Sequence, residues 1–365
     1  MATAAVVEER DRAFVLQEVE VGPLRADEVL IDVRASGICH TDLGAQAGGF
    51  PTPLPCVLGH EGAGVIAAVG TAVIGLAIGD RVAMSFASCG TCPHCLSGRP
   101  AYCAEFLPRN FLARRGDGST ALSRGGTPLS SQFFGQSSFA TQAVCHQRSV
   151  VRIDADIPFE VLAPFGCGVQ TGAGAVLGVL RPGPSDALAV LGAGAVGMSA
   201  IMAARLTGCG TIIAIDLNPA RLALALELGA THSIDARSHD PVAEVRAITG
   251  GGADFSLECT GVPAVLRQAV DMLGSDATCG VIGAPPFGTD VGLDVNELIA
   301  LGRRVRGIVE GESVPQLFIP QLVELWRQGR FPVDRLVKTF PFEQINDAVA
   351  DMTNGSVIKP VVLID

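Results

Sequence analysis

The 365-residue sequence has few basic residues and no long run of them. Its 26 lysine and arginine residues are outnumbered by 37 aspartate and glutamate residues, which gives a formal net charge of −11 at pH 7. A surface of this sign repels the phosphates of nucleic acids and of anionic membranes, so we expect neither as a partner. Small molecules are the ligands that this composition favours.

The N-terminus lacks the features of an export signal. The first residues, MATAAVVEERD, have no basic flank and only a short apolar stretch before mixed charges. We therefore expect a cytoplasmic protein whose eleven cysteines are reduced thiols. Under that expectation, clustered cysteines indicate metal chemistry rather than a disulfide framework.

The chain is longer than one hydrophobic core usually serves, so we expect two domains. One uncharged apolar stretch, residues 187–204, is long enough to resemble a membrane span. Gly192, Gly194 and Gly197 interrupt it as G-x-G-x-x-G, at the point where a predicted strand meets a predicted helix. We interpret the stretch as a buried strand and a buried helix, and we expect no membrane partner.

From residue 187 the sequence alternates apolar strands with helical patterns, which is typical of a Rossmann-type doubly wound parallel sheet in an α/β fold. The glycines of the turn let a diphosphate approach the helix N-terminus. Asp216 ends the next predicted strand, where its carboxylate can accept hydrogen bonds from ribose hydroxyls and repel a 2′-phosphate. NAD is therefore favoured over NADP, although Arg221 nearby weakens that preference.

Four cysteines lie close together in the stretch CGTCPHCLSGRPAYC. Cys89, Cys92, Cys95 and Cys103 have the spacing C-x2-C-x2-C-x7-C, and the glycines and proline between them suit tight turns. Four thiolates fill the shell of a tetrahedral zinc ion, so we predict a structural site. Four unrelated buried thiols, a redox sensor and an iron–sulfur cluster are the alternatives, and His94 is a rival ligand.

Three other stretches, GICHTDLG, VLGHEGAGVI and APFGCGVQTG, offer Cys39, His60 and Cys167. Two thiolates and one imidazole leave one position of a zinc ion open for water or substrate. The combination therefore indicates a catalytic zinc site rather than a structural one.

Together these motifs resemble the zinc-dependent medium-chain alcohol dehydrogenase family. The resemblance covers nearly the whole chain through GICHTD, GHEGAG, the four-cysteine stretch, GCGVQTG, LGAGAVG and VIKPVVL. Alcohol dehydrogenase is itself the known example of zinc held by two cysteines and one histidine, so this ligand set is taken from the family. The sequence CHTD without a second histidine, together with FGCGVQTGAGAV, most resembles the aryl-alcohol (benzyl alcohol) dehydrogenases.

The resemblance implies a fold of two domains. A mainly β GroES-like catalytic domain would be split in sequence, covering residues 1–168 and 309–365, and an NAD-binding Rossmann domain would cover residues 169–308. The resemblance also implies two zinc ions per chain, one catalytic and one structural, and assembly as a homodimer or homotetramer.

The family further implies roles for single residues. Glu61 would be an occasional ligand of the catalytic zinc, and Asp42 the carboxylate that orients the zinc-bound histidine. His40 and Lys359 match positions that contact the cofactor diphosphate, and Thr171 matches a residue beside the nicotinamide. The plainer interpretations are that His40 is a surface loop histidine and Lys359 a solvated lysine.

Thr41 matches the hydroxyl that accepts the substrate proton, while zinc supplies Lewis-acid catalysis. Its plainer interpretation is an ordinary polar loop residue. Many family members carry a histidine that passes the proton onward, but Gly44 stands at that position here. The proton would leave through cofactor ribose and water, or His40 would take over the relay.

These motifs predict a reversible, NAD-linked oxidation of primary alcohols to aldehydes, with aryl or allylic alcohols such as benzyl alcohol as substrates. Phe50, Phe86 and Phe134 are candidate walls of an apolar pocket, although phenylalanines are more often ordinary core. A polyol or threonine dehydrogenase is a rival that Cys167 disfavours, since such proteins often carry glutamate there. A glutathione- or mycothiol-dependent formaldehyde dehydrogenase uses the same ligands, and an NAD-binding or zinc-storage protein without turnover is the non-enzymatic alternative.

Overall fold

The computed structural model describes residues 1–364 and separates them into two compact units. Unit 1 is assembled from three segments, Met1–Cys167, Ser313–Gly329 and the residues from Val333 onward. Unit 2 consists of Gly168–Glu312 and the short segment Arg330–Pro332. The chain therefore leaves unit 1 once for a long excursion and then returns to it.

The strands are numbered along the chain: β1 (Ala2–Val7), β2 (Val15–Val21), β3 (Glu28–Gly37), β4 (Cys56–Val57), β5 (Glu61–Val69), β6 (Arg81–Met84), β7 (Leu122–Arg124), β8 (Thr127–Leu129), β9 (Gln142–His146), β10 (Val150–Arg152), β11 (Ala187–Leu191), β12 (Thr211–Asp216), β13 (His232–Asp235), β14 (Ala253–Glu258), β15 (Leu273–Val281), β16 (Arg304–Gly307), β17 (Val337–Pro341) and β18 (Lys359–Leu363).

The helices are numbered in the same way: α1 (His40–Gln46), α2 (Pro93–Leu96), α3 (Phe106–Phe111), α4 (Phe159–Leu162), α5 (Gly168–Gly174), α6 (Ala195–Thr207), α7 (Pro219–Leu228), α8 (Pro241–Thr249), α9 (Pro263–Asp271), α10 (Val295–Leu301), α11 (Pro315–Arg327) and α12 (Ile345–Thr353).

Unit 1 is mainly β and contains two sheets. One has the strand order β4-β1-β2-β7-β8, and the other runs β10-β6-β5-β3-β18-β17 with β9 also paired to β3. Strand β3 is the centre of the second sheet, because it pairs with β5, β9 and β18, all antiparallel. Gly37, the last residue of β3, lies opposite both Glu61 of β5 and Val361 of β18. The segments that follow β3 and precede β5 therefore leave the sheet at the same end.

A third segment reaches this end of the sheet through close backbone packing. The 3-10 turn Ala163–Gly166 is held to β6 by Ser85, whose hydroxyl donates to the carbonyl of Gly166 at 2.8 Å. A side chain at Gly166 would place its Cβ 2.1 Å from the carbonyl oxygen of Met84, so only glycine allows this approach. The turn ends immediately before Cys167.

Unit 2 is built on one parallel sheet with the strand order β13-β12-β11-β14-β15-β16. All five residues of β11 are buried, and α6 follows it after the glycine turn with Gly194 as its N-cap. This arrangement confirms the prediction of a Rossmann-type sheet and the interpretation of residues 187–204 as a buried strand and helix. Among residues 1–364, no single helix is long and apolar enough to cross a membrane.

Candidate metal centres and cofactor loop

The structure brings Cys39, His60 and Cys167 together. Their ligand atoms all lie within 4.8 Å of one another, although the three residues come from separate stretches of unit 1. Cys39 is the N-cap of α1, two residues after the end of β3, and His60 directly precedes β5. Because those strand ends are paired, the sheet itself sets the two side chains side by side.

The carboxylate of Asp42 organises this cluster. Its Oδ1 lies 2.7 Å from Nδ1 of His60 and accepts the N–H of Gly59 at 3.1 Å. Its Oδ2 accepts the N–H of Cys39 at 3.0 Å, which closes the first turn of α1. Asp42 is fully buried, so all of these bonds are shielded from water.

The imidazole of His60 is arranged to bind a cation. Because Nδ1 donates to Asp42, the neutral ring presents the lone pair of Nε2, and this buried atom has no hydrogen-bond partner among the described residues. The pKa of the Cys39 thiol is held well below its usual range, first by a hydrogen bond with Cys167 and despite its burial. A thiolate beside an unpartnered imidazole nitrogen is the donor chemistry that zinc requires.

A buried ion pair lies beside the cluster. Nζ of Lys359 donates to both carboxylate oxygens of Glu61, at 2.9 and 2.8 Å, and to the carbonyl of Ile38 at 3.0 Å. Burial raises the pKa of Glu61 to about 7, although the Lys359 ammonium acts against this shift. Lys359 is thus not the solvated lysine of the plainer interpretation, and a contact to a cofactor diphosphate requires one of its three hydrogen bonds to be exchanged.

The other two residues of the CHTD motif lie at the start of α1. His40 is exposed, and the hydroxyl oxygen of Thr41 lies 3.8 Å from the sulfur of Cys39. The roles predicted for them, diphosphate contact and proton acceptance, stay predictions. One turn further on, a Cβ at Gly44 would lie only 2.7 Å from the ring of Phe50. The ring of Phe50 therefore occupies the space that a proton-relay side chain at position 44 would need.

The three phenylalanines predicted as pocket walls belong to one aromatic cluster. The ring of Phe134 packs on His60 with centroids 4.6 Å apart and an interplanar angle of 31°. Phe111 packs on Phe134 at 5.1 Å and on Phe50 at 4.8 Å, and Phe86 joins the cluster through Phe106. Several of these rings are largely buried, and Phe134 is the one among them that packs on His60. Their contact with a substrate stays a prediction.

The four cysteines of the second cluster also converge. Their sulfur atoms lie within 4.8 Å of one another, and those of Cys89 and Cys95 are 3.9 Å apart. Tetrahedral Zn–S bonds of about 2.3 Å set sulfurs roughly 3.8 Å apart, so the spacing fits zinc. The N–H of Thr91 lowers the pKa of Cys89 to about 6. His94 is exposed on α2 and outside the group, whose fourth member is Cys103.

Within unit 2 the glycine turn is tightly packed. Gly192 has φ +96°, and a Cβ at Gly197 would meet the carbonyl oxygen of Gly192 at 1.9 Å, whereas a Cβ at Gly194 would meet nothing within 4 Å. Asp216 closes the turn from the end of β12, because its Oδ2 accepts the N–H of Ala193 at 2.7 Å. The predicted ribose-binding carboxylate is therefore next to the predicted diphosphate loop.

The two remaining cofactor residues also lie in unit 2. Thr171 is buried in α5, and its hydroxyl is 3.4 Å from a carboxylate oxygen of Glu310. Arg221 lies in the first turn of α7, half-buried. Their contacts with NAD stay predictions.

Sequence reasoning missed Glu310 and Gln136, two buried polar residues that bond to predicted site residues. Glu310 lies 139 positions after its partner Thr171, and Gln136 lies 76 positions after its partner His60. No periodicity or spacing in the sequence marks either residue, because both are selected by tertiary contact.

Comparison with known proteins identifies two family domains in the chain. The alcohol dehydrogenase GroES-like domain family matches residues 25–155, and the zinc-binding dehydrogenase family matches residues 195–326. A geraniol dehydrogenase from Castellaniella defragrans is 44% identical over 364 residues, covering 99% of this chain and 97% of that protein. These matches extend over both units.

Two solved structures are similar over their full length. An alcohol dehydrogenase zinc-binding domain protein from Burkholderia ambifaria has 52% identity and a TM-score of 0.97, covering 100% of this chain and 99% of that one. The benzyl alcohol dehydrogenase of Acinetobacter calcoaceticus has 45% identity and a TM-score of 0.96 with the same coverage. The predicted combination of a GroES-like domain and a Rossmann-type domain is confirmed.

The first prediction concerns Asp42. Asp42→Asn should weaken zinc binding at Cys39, His60 and Cys167 by about 10- to 100-fold, because an amide cannot accept from all the donors that now meet the carboxylate. Competition with a chromogenic chelator measures the change. Asp32→Asn, which removes a carboxylate bonded to Gln142 on the same sheet, is the control. Equal zinc affinity in both variants would contradict the prediction.

The second prediction concerns the four-cysteine cluster. Cys95→Ser should remove one zinc ion per chain and lower solubility and thermal stability, since a structural zinc contributes directly to folding. Metal analysis and thermal unfolding measure both effects. Cys209→Ser alters a buried thiol outside either cluster and should retain all zinc. Full zinc content and unchanged stability in Cys95→Ser would refute a structural site.

Proposed function

Because this chain belongs to the zinc-dependent medium-chain alcohol dehydrogenase family, we propose that it oxidises primary aryl and allylic alcohols reversibly to aldehydes with NAD. The observation that carries the proposal is the donor set of Cys39, His60 and Cys167, in which the buried Nε2 of His60 has no hydrogen-bond partner among the described residues. Three protein donors leave a position for the alcohol oxygen, as a catalytic site needs.

The residues of unit 1 bind and deprotonate the alcohol in this proposal. When bound, zinc supplies Lewis-acid catalysis and the nicotinamide accepts the hydride. The hydroxyl of Thr41, beside Cys39, accepts the alcohol proton. Phe50 fills the space beside Gly44, so no side chain at that position takes the proton onward, and the ribose of a bound cofactor together with water would supply the path to solvent. His40 binds the cofactor diphosphate from the exposed start of α1.

Two observations support aryl and allylic alcohols as the substrate class. The geraniol and benzyl alcohol dehydrogenases that resemble this chain are named for primary alcohols whose hydroxyl carbon adjoins an unsaturated carbon. The aromatic cluster that reaches His60 through Phe134 offers flat apolar surface beside the proposed reaction centre. A planar substrate buries more apolar area against such rings than ethanol or a polyol does.

The carboxylate of Asp216 supports NAD as the cofactor. It accepts the N–H of Ala193 in the glycine turn, and this position next to the turn supports its proposed role in binding the adenosine ribose. A 2′-phosphate bound there would be repelled by the negative charge of Asp216. NAD carries no 2′-phosphate and so avoids this repulsion. We further propose that the active form is a homodimer or homotetramer, as the family resemblance implies.

The third prediction concerns substrate choice. Benzyl, cinnamyl and geranyl alcohols should give higher kcat/KM values than ethanol or sorbitol, because the apolar rings contribute binding energy that small or polar alcohols cannot use. Steady-state NAD reduction over this panel measures the order. Equal or better efficiency with ethanol or sorbitol would refute the aryl and allylic assignment, and activity that requires glutathione or mycothiol would favour formaldehyde oxidation. No NAD reduction with any alcohol would favour a protein without turnover.

The fourth prediction concerns cofactor choice. The unaltered protein should strongly prefer NAD, and Asp216→Gly should reduce the ratio of NAD to NADP efficiency by about 10- to 100-fold, the worth of hydrogen bonds to a charged group. Asp216→Asn, which keeps the shape and loses the charge, separates repulsion of the 2′-phosphate from general loosening of the turn. Equal efficiency of the unaltered protein with both cofactors would contradict the assignment.

A further inference from the structure

A turn with unusual backbone geometry lies against the His60 segment. Gln132, Phe134 and Ser137 have φ values of +77°, +50° and +54°, and Gly135 has φ +69°. Left-handed geometry is uncommon for residues other than glycine and is most unusual for a bulky aromatic residue. The turn formed by residues 132–137, called the clamp turn below, therefore stores backbone strain that surrounding contacts must offset.

The clamp turn and the two residues after it bond to the backbone just before His60. The hydroxyl of Ser137 donates to the carbonyl of Val57 at 2.6 Å, and the N–H of Ser138 donates to the carbonyl of Gly59 at 3.0 Å. A Cβ at Gly59 would lie 2.5 Å from the backbone nitrogen of Phe139, which shows how closely the two segments approach. The His60 segment is therefore fixed along its length.

Gln136 bonds to the main chain of the metal-binding segment. Its amide nitrogen donates to the carbonyl of His60 at 2.9 Å, and its amide oxygen accepts the N–H of Gly62 at 3.0 Å. The side chain is 1% exposed, so water cannot replace either bond. Gln136 thus holds the main chain on both sides of Glu61 and determines the direction in which the His60 side chain leaves the backbone.

Phe134 completes the support from the same turn. Its ring packs on the imidazole of His60 at an interplanar angle of 31°, and Nδ1 of that imidazole bonds to Asp42. The imidazole is therefore fixed at its face by Phe134, at one edge by Asp42 and at its main chain by Gln136. Its remaining free atom, Nε2, belongs to the Cys39 and Cys167 cluster.

We propose that Gln136 is a positioning residue for His60, and that the clamp turn keeps its strained geometry because this geometry presents Gln136 and Phe134 to the metal-binding histidine. The proposal rests on the proposed catalytic zinc at Cys39, His60 and Cys167. Backbone strain persists at a functional site where the strained conformation serves that site. A metal ligand whose orientation is fixed by neighbouring residues retains metal better than one that rotates freely.

Release of zinc to a chelator tests the proposal without any substrate. Gln136→Ala should release the catalytic zinc about 10- to 100-fold faster, which is the size of effect expected when a residue that orients a metal ligand is lost. The zinc of the four-cysteine cluster should be retained. Gln142→Ala is the matched control, because it removes a side-chain amide bonded to Asp32 away from His60. Cobalt placed in the catalytic position should show shifted visible absorption bands only in Gln136→Ala.

The outcomes separate positioning from general stability. Gln136→Ala leaves a buried carbonyl and a buried N–H without partners, so the zinc-free variant should unfold at a lower temperature than zinc-free Gln142→Ala. Release is therefore measured well below both unfolding transitions, where faster loss from the catalytic cluster of Gln136→Ala alone supports the proposal. Equal release rates with unchanged cobalt bands, or parallel loss of zinc from both clusters, would overturn it. Gln136→Met, which keeps the length of the side chain and loses both hydrogen bonds, takes the place of Gln136→Ala in the same assays if that variant does not fold. An absence of alcohol oxidation would refute the proposed function and leave the release measurement valid.

Discussion

The buried carboxylate of Asp42 is the interaction on which the rest of the candidate site depends. It accepts the N–H of Cys39, the N–H of Gly59 and the Nδ1–H of His60, and so joins the segment after β3 to the segment before β5. It also selects the histidine tautomer, because an imidazole that donates from Nδ1 must offer Nε2 to a metal. Without this carboxylate the two segments would still meet at the same end of the sheet, but they would bind zinc more weakly.

The charge balance around the site explains why a dication belongs there. The sulfurs of Cys39 and Cys167 lie near two buried carboxylates, of which Asp42 bonds to His60 and Glu61 to Lys359, so ionised sulfurs would be the negative charge left without a paired cation. Buried charges of one sign are costly unless they are paired or bind a metal. A zinc ion would offset the negative charge of the ionised sulfurs. The pairing of Glu61 with Lys359 would then limit the negative charge next to the zinc rather than bind the metal.

Much of the site was predictable from short motifs, because ligand identity and spacing are local properties. Both cysteine sets, the glycine turn and Asp216 are found in the sequence, whereas the division of unit 1 into separate segments required the family resemblance. The engagement of Lys359 by Glu61 and the strain at Phe134 were not predictable, since each depends on which side chains the fold places in contact. The stretch after Cys103 gave no secondary-structure prediction, and it contains the short elements α3, β7 and β8.

X-ray absorption at the zinc edge, combined with metal analysis, tests the central claim most directly. One cluster supplies four thiolates, and the other supplies two thiolates and one imidazole. The account therefore predicts two zinc ions per chain with an average of about three sulfur neighbours each at about 2.3 Å, the remainder being nitrogen or oxygen. A single zinc ion per chain, or an average of four sulfur neighbours, would contradict a catalytic zinc held by Cys39, His60 and Cys167.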